Sequence, residues 1–150
     1  MKSIITTFTL LIICIYANGQ TLNEQLYQAV KAKNSTQVGL LLDKGADANY
    51  KAARGEFQLS LLIVSVNNQD IQTVKLLVDH NAEINWKDWF KTTALMYAAQ
   101  KGNVEIISYL LKHGADIHAH DDQGNTVLTA AKEGNHPEAI KLIEDNLRSN

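Results

Sequence analysis

The chain has 150 residues, of which 45% are hydrophobic and 20% are charged, a composition typical of one globular domain rather than of a disordered segment. Its formal net charge is -2 at pH 7, so it lacks the excess of lysine and arginine that neutralises phosphates in nucleic-acid-binding proteins. Nucleic acids and anionic membrane surfaces are therefore disfavoured as principal ligands.

Residues 1–19 have the pattern of a secretory signal peptide. Lys2 gives a positive start, residues 4–17 are largely apolar, and the small residues Ala17 and Gly19 precede a cleavage position. The apolar stretch is shorter than the about 20 residues that a membrane-spanning helix needs. We therefore expect cleavage after Gly19, export to the periplasm or the medium, no stable membrane insertion afterwards, and loss of Cys14, the single cysteine.

The remaining chain repeats one phrase three times: KGADAN at 44–49, HNAEIN at 80–85 and HGADIH at 113–118. The first two phrases are 36 residues apart and the last two are 33 apart. A period of this length indicates supersecondary units that bury their apolar faces against one another in a stack.

In chain order, Thr21 and Glu24 form a capping box that predicts the first helix. Each later unit has a hydroxyl residue that can cap the start of a helix: Ser60, Thr93 and Thr126. A second helix with apolar residues at helical spacing follows in each unit, at 38–42, 71–78, 104–111 and 137–143. Gly45, Asn81 and Gly114 are placed to end such helices.

The segments TALMYAA at 93–99, GN at 102–103 and GAD at 114–116 resemble the ankyrin repeat, whose pattern is TPLHxAA, then GH or GN, then GADxN. The resemblance covers nearly all of the chain after residue 19. It implies an all-α solenoid of helix-turn-helix units with projecting hairpin loops, in repeats at about 21–50, 51–86, 87–119 and 120–150. The longer first spacing implies a three-residue insertion near 50–57.

Proteins similar to this usually bind other proteins on the concave side, which the hairpins and first helices form. Trp89 and Phe90 are two adjacent rings at a predicted loop tip, and exposed apolar patches usually mark interaction sites. Met96 takes the motif's concave-facing histidine position and is expected to extend this apolar strip, whereas Trp86 is expected to pack under the hairpin. The predicted partner-binding residues are Phe57, Lys87, Trp89, Phe90, Thr92, Met96, Gln100, Lys101, Asp122, Gln123 and Asn125.

A second cluster contains His113, His118 and His120 together with three carboxylates within ten residues. Imidazoles and carboxylates can ligate zinc, and histidine titrates near neutrality. No HExxH signature is present, however, and His118 already occupies the asparagine position of the repeated phrase. We predict no metal site and no cofactor, and keep a metal- or pH-responsive sensor at residues 113–122 as an alternative.

The sequence contains no GxSxG and no phosphate-binding GxxxxGK motif. We therefore expect a non-catalytic module that binds another protein in the envelope or outside the cell, either as the companion of an enzyme or as an inhibitor of the immunity-protein kind. A scaffold that self-associates through the aromatic loops is the other alternative.

Overall fold

The computed structural model of the protein describes residues 21–54 and 57–149. The predicted signal peptide and Cys14 lie outside the described residues. For Arg54 and Phe57, the described features are those of the backbone.

Within these residues the chain forms eight helices, arranged as four consecutive pairs, and one two-stranded hairpin. The elements are α1 (Leu22–Lys31), α2 (Ser35–Asp43), β1 (Lys51–Arg54), β2 (Phe57–Ser60), α3 (Leu61–Asn67), α4 (Ile71–Asp79), α5 (Ala94–Lys101), α6 (Val104–Lys112), α7 (Val127–Glu133) and α8 (Pro137–Ser149). The predicted all-α solenoid is confirmed.

The hydroxyl residues singled out in the sequence cap the first helix of each pair. The side-chain oxygens of Ser60, Thr93 and Thr126 accept hydrogen bonds from backbone N–H groups in the first turns of α3, α5 and α7, at 3.2, 3.3 and 3.2 Å. Thr21 and Glu24 form the predicted capping box of α1. These caps satisfy donors that a helix start leaves unpaired, so they fix where each repeat begins.

The helix pairs stack into two layers. The inner helices α1, α3, α5 and α7 pack in sequence against one another, and the outer helices α2, α4, α6 and α8 do the same. Ala98, Ala99 and Ala131 are fully buried, because small side chains allow α5 and α7 to approach closely. Each pair therefore completes its core only with its neighbours, as the repeat period predicts.

The first loop between helix pairs, residues 44–60, is the longest of these loops. Its strands β1 and β2 pair antiparallel, with Lys51 opposite Ser60 and Ala52 opposite Leu59. The hairpin occupies the place where the sequence predicts an insertion, and it delivers the chain directly into α3. In the described part of the chain, every helix is too short or too polar to cross a bilayer.

The asparagine that ends the repeated phrase braces one repeat to the next. The Asn49 amide donates to the carbonyl oxygen of Asn81 at 2.9 Å and accepts from the N–H of Glu83 at 2.7 Å. The Asn85 amide makes the same two contacts one repeat later, with Gly114 at 3.0 Å and Asp116 at 2.8 Å. The asparagine at the end of the repeated phrase therefore has a structural purpose, because its side chain hydrogen-bonds one carbonyl group and one N–H group of the following loop.

We expect Asn85→Ala to lower the free energy of unfolding by about 1–2 kcal/mol, because two backbone groups lose their partner. His118 occupies the same repeat position, is exposed, and makes no such brace within the described chain. His118→Ala is therefore the matched control and should change stability by less than about 0.5 kcal/mol. Urea denaturation measures both, and equal costs for the two substitutions would contradict the bracing role.

Candidate functional site

The loops before α5 and α7 form two neighbouring fingers. We call residues 87–93 the aromatic finger and residues 120–126 the second finger. An isolated antiparallel bridge closes the base of each, between Lys87 and Thr93 and between His120 and Thr126. Each finger therefore runs out from the stack and returns directly to the capping residue of an inner helix.

One carboxylate holds the aromatic finger in shape. Oδ1 of Asp88 accepts hydrogen bonds from the backbone N–H groups of Phe90 and Thr92, both at 2.9 Å. Oδ2 of Asp88 accepts from the hydroxyl of Tyr97 on α5 at 2.8 Å. Because Tyr97 belongs to the buried stack and Asp88 to the loop, this bond ties the conformation of the finger to the inner helix.

The hydroxyl of Tyr97 stays protonated under ordinary conditions. Partial burial, together with the hydrogen bond to Asp88 and the negative charge of that carboxylate, raises the pKa of Tyr97 well above its usual value. A protonated hydroxyl is the form that donates to a carboxylate. The link between loop and helix is therefore present throughout the neutral range.

The second finger contains the same turn, but the second carboxylate oxygen of its aspartate has a different hydrogen-bond partner. Asp121 lies 33 residues after Asp88, and its Oδ1 accepts from the N–H groups of Gln123 at 2.9 Å and Asn125 at 2.8 Å. Its Oδ2 accepts from the Asn125 side chain at 2.9 Å. Desolvation opposes ionisation of Asp121, but the hydrogen bonds from Asn125, Gln123 and Gly124 outweigh it and lower its pKa. This finger is thus closed by its own residues, without a hydroxyl from the helix.

The two fingers are joined at their tips. The backbone N–H of Asp122 donates to the carbonyl oxygen of Phe90 at 3.1 Å. Next to this bond, Trp89 is 67% exposed and Phe90 is 54% exposed. The pair of exposed rings predicted from the sequence is therefore present, and it is held on a backbone supported from the helix side and from the neighbouring finger.

The predicted burial of Trp86 is also confirmed. Its ring is half-buried and packs against the core, with the Lys51 ammonium 5.2 Å from the ring centroid. The two tryptophans of the chain therefore have different environments, although they are three residues apart.

The placement of Met96 in the apolar strip was wrong. Its side chain is only 2% exposed and lies in the core. Met96 is on the face of α5 that the stack covers, where a partner protein has no access to it. Phe57 begins β2, and its side chain lies outside the described part of the structure. The exposed aromatic surface thus consists of Trp89 and Phe90 among the described side chains.

The other predicted contact residues are polar and lie on the fingers or at the end of α5. Thr92 and Asn125 are half-buried and belong to the two turns. The remaining members are exposed: Lys87, Gln100, Lys101, Asp122 and Gln123.

The structure does not bring the histidines of residues 113–122 together. Nδ1 of His113 lies 2.8 Å from the carbonyl oxygen of Tyr109, and Nδ1 of His120 lies 3.0 Å from that of Asp121. Across residues 21–54 and 57–149, no three histidine, cysteine, aspartate or glutamate side chains form a group that could hold a metal ion. These histidines therefore have separate local contacts.

Sequence reasoning missed the hydrogen bond between Tyr97 and Asp88. The aspartates of the two fingers are visible in the sequence through their 33-residue spacing. No periodic signal marks Tyr97, because the equivalent position in the next repeat is Ala130, which has no hydroxyl.

We expect Tyr97→Phe to lower the free energy of unfolding by about 1–2 kcal/mol at pH 7, since the Asp88 carboxylate loses a donor. The pKa of Tyr97 is higher in the folded chain than the unfolded value of 10.0. Its contribution is therefore complete below pH 10 and is lost as pH rises above it, by at most about 1.4 kcal/mol per pH unit. Urea denaturation of both proteins at pH 7 and above pH 10 measures this.

Tyr109→Phe is the matched control, because that hydroxyl donates to Asp79 at 3.1 Å in an exposed setting. It should cost less than Tyr97→Phe. Equal costs for the two substitutions at pH 7 would contradict a special role for the bond to Asp88.

The sequence of this chain matches a known protein family and two known proteins. A family model for ankyrin repeats, in three copies, matches residues 26–121. The chain is 31% identical over 121 residues to a transient receptor potential cation channel subfamily A member 1 homolog of Caenorhabditis elegans, an alignment that covers 81% of this chain and 10% of that protein. It is 36% identical over 73 residues to a putative ankyrin repeat protein of Acanthamoeba polyphaga mimivirus, which covers 49% of this chain and 9% of that protein. The chain thus spans only about a tenth of the length of these relatives.

Proposed function

Because this chain belongs to the ankyrin repeat family, we propose that it is a non-catalytic module that binds a partner protein through its two fingers and the adjoining inner helices. Ankyrin repeats are generally protein–protein interaction modules, and the family is typically non-catalytic. The observation that carries the proposal is the paired exposure of Trp89 and Phe90 on a braced loop.

The exposed rings provide enough apolar area to anchor a complex. Large aromatic side chains bury about 150–250 Å² each, so covering the exposed parts of Trp89 and Phe90 removes roughly 200–300 Å² from water. At about 25 cal/mol per Å², this gives a gross gain of about 5–7 kcal/mol. Association costs about 4–15 kcal/mol, so the rings act as anchors that need further contacts.

The bracing of the aromatic finger reduces the cost of binding. A loop that must be ordered when its partner arrives loses conformational entropy, whereas a preorganised loop does not. The carboxylate of Asp88 and the bond from Asp122 to Phe90 fix the backbone beneath both rings before any partner is present.

Polar residues around the rings supply the additional contacts. Interfaces commonly surround aromatic anchors with a polar rim that excludes water. Five exposed side chains take this role in the proposal: Lys87, Gln100, Lys101, Asp122 and Gln123.

We further propose that the protein acts outside the cytoplasm, in the envelope or the medium. The support is the signal-peptide pattern of residues 1–19. There the module is either the companion of an enzyme or the inhibitor of one, as an immunity protein is. Adding the protein to its purified partner separates these two roles, since a companion preserves the partner's activity and an inhibitor suppresses it.

Export predicts a defined amino terminus. Protein recovered from the envelope or the medium of the producing cell should begin at Gln20, because cleavage is expected after Gly19. Intact-mass spectrometry measures this directly. Recovery of the protein solely from the cytoplasm, with residues 1–19 still attached, would reject the export proposal.

The aromatic anchors predict a loss of binding on truncation. We expect a Trp89→Ala, Phe90→Ala double variant to bind the partner at least about tenfold more weakly than the parent, because anchor residues often contribute 2 kcal/mol or more. Affinity capture from envelope and medium fractions identifies the partner, and calorimetry with the purified partner measures the change.

The matched control removes exposed apolar area elsewhere on the chain. Leu22 and Leu40 are 41% and 49% exposed in the first helix pair, so a Leu22→Ala, Leu40→Ala variant should bind as the parent does. Circular dichroism checks that both variants fold. If the two double variants bind the partner equally well, the aromatic finger is not the recognition surface. A parent dimer in sedimentation that the aromatic variant abolishes would instead favour self-association.

A further inference from the structure

The inner-helix layer contains a small cavity beside the β1–β2 hairpin, away from the aromatic finger. It has a volume of about 260 Å³ and lies between α1, α3 and strand β2. Its apolar lining comes from Tyr27, Leu59, Ile63 and Val64. A cavity with these walls favours an apolar group over water.

Two polar side chains at the cavity have hydrogen-bond donors that no acceptor among the described residues uses. The Lys31 ammonium lies 5.4 Å from the centroid of the Tyr27 ring and, within the described chain, pairs with no carboxylate. Asn67 is exposed, and its amide is not used within that part of the structure. The next residue differs, because the Asn68 amide donates to the carbonyl oxygen of Val30 at 3.0 Å and is held there. Among the described residues, the cavity therefore presents at its edge an ammonium that pairs with no carboxylate and an amide that makes no hydrogen bond.

The size of the cavity restricts its occupant. Sites for cofactors and drug-sized ligands usually measure about 300–1,000 Å³, and this cavity is smaller. It suits one side chain of a protein better than a free metabolite. The acceptor that best matches an ammonium and an amide donor is a carboxylate.

We propose that this cavity is a second recognition site, which takes an apolar side chain of the partner whose neighbouring carboxylate pairs with Lys31. This inference rests on the proposed function, because the cavity is assigned to the same partner. Lys31, Asn67 and Gln100 occupy equivalent positions in successive inner helices, 36 and 33 residues apart. The cavity thus belongs to the row of inner-helix ends that continues to α5, the helix into which the aromatic finger leads.

Small probes test the chemistry of the cavity without the partner. Heteronuclear NMR of the full chain is recorded with phenylpropionate, with its neutral analogue phenylpropionamide, and with acetate. We expect phenylpropionate to shift the amide signals of Ile63, Val64 and Asn67, because its ring enters the cavity. Exposed ion pairs contribute modestly, so the neutral amide should bind about three- to fivefold more weakly. Acetate, which lacks the apolar group, should leave these signals in place.

A lysine substitution identifies the cation. Lys31→Gln should reduce the affinity for phenylpropionate to that for the neutral amide. Lys33→Gln is the matched control, because Lys33 is exposed, lies two residues away and does not line the cavity. The proposal is overturned if phenylpropionate shifts none of the three signals, if acid and amide bind within twofold of each other, or if Lys31→Gln has no more effect than Lys33→Gln.

The experiment with small probes and the experiment with the partner test different proposals, so either proposal can be rejected without the other. If phenylpropionate does not bind while the aromatic double variant loses the partner, the second site is rejected and the proposed function stands. If phenylpropionate binds as expected but the aromatic variant retains the partner, the chemistry of the cavity stands and the role of the aromatic finger is rejected.

Discussion

The fold of the described residues depends on the contact between one helix pair and the next. The helices have 7 to 13 residues, and isolated helices shorter than about 12–15 residues are marginal in water. A single pair also leaves an apolar face open. Stacking removes both difficulties, because inner helices bury inner helices and asparagine braces such as Asn85 join the loops. The stack is therefore the frame on which any loop conformation can be maintained.

The aromatic finger makes use of this frame. Thr93 begins α5 in a fixed place, Tyr97 on the same helix holds the Asp88 carboxylate, and that carboxylate holds the backbone of Phe90 and Thr92. The result is a short chain of contacts from the buried core to two exposed rings. In the proposed function, this fixed conformation of the finger allows the exposed surface of Trp89 and Phe90 to serve as an anchor at little entropic cost.

Much of this arrangement follows from the sequence because it depends on local spacing. Capping residues and left-handed helix ends such as Asn81 and Gly114 follow from the repeat register. So does the difference between Trp86, which is half-buried, and Trp89, which is exposed. A register assigns a residue to a side of the helix but does not show how deeply the neighbouring helix covers it. For that reason Met96 was expected at the surface and is buried.

Contacts between different repeats were harder to predict. The Asn85 brace joins residues about 30 positions apart, and the Lys31 cavity needs two helices and a strand to form. Neither produces a local pattern. Tyr97 and Asp88 are closer to each other in sequence. Among the described residues, however, their hydrogen bond is made in one repeat only, so a comparison between repeats does not reveal it.

In the proposed function, the Trp89 ring enters the interface with a partner protein. The direct measurement is Trp89 fluorescence in a Trp86→Phe variant, in which Trp89 is the single tryptophan. If the ring enters the interface, adding the captured partner shifts the emission to shorter wavelength and protects the ring from acrylamide quenching, because an exposed indole becomes buried. If the partner binds this variant and both the emission and the quenching stay unchanged, the ring remains in water and the claim is wrong.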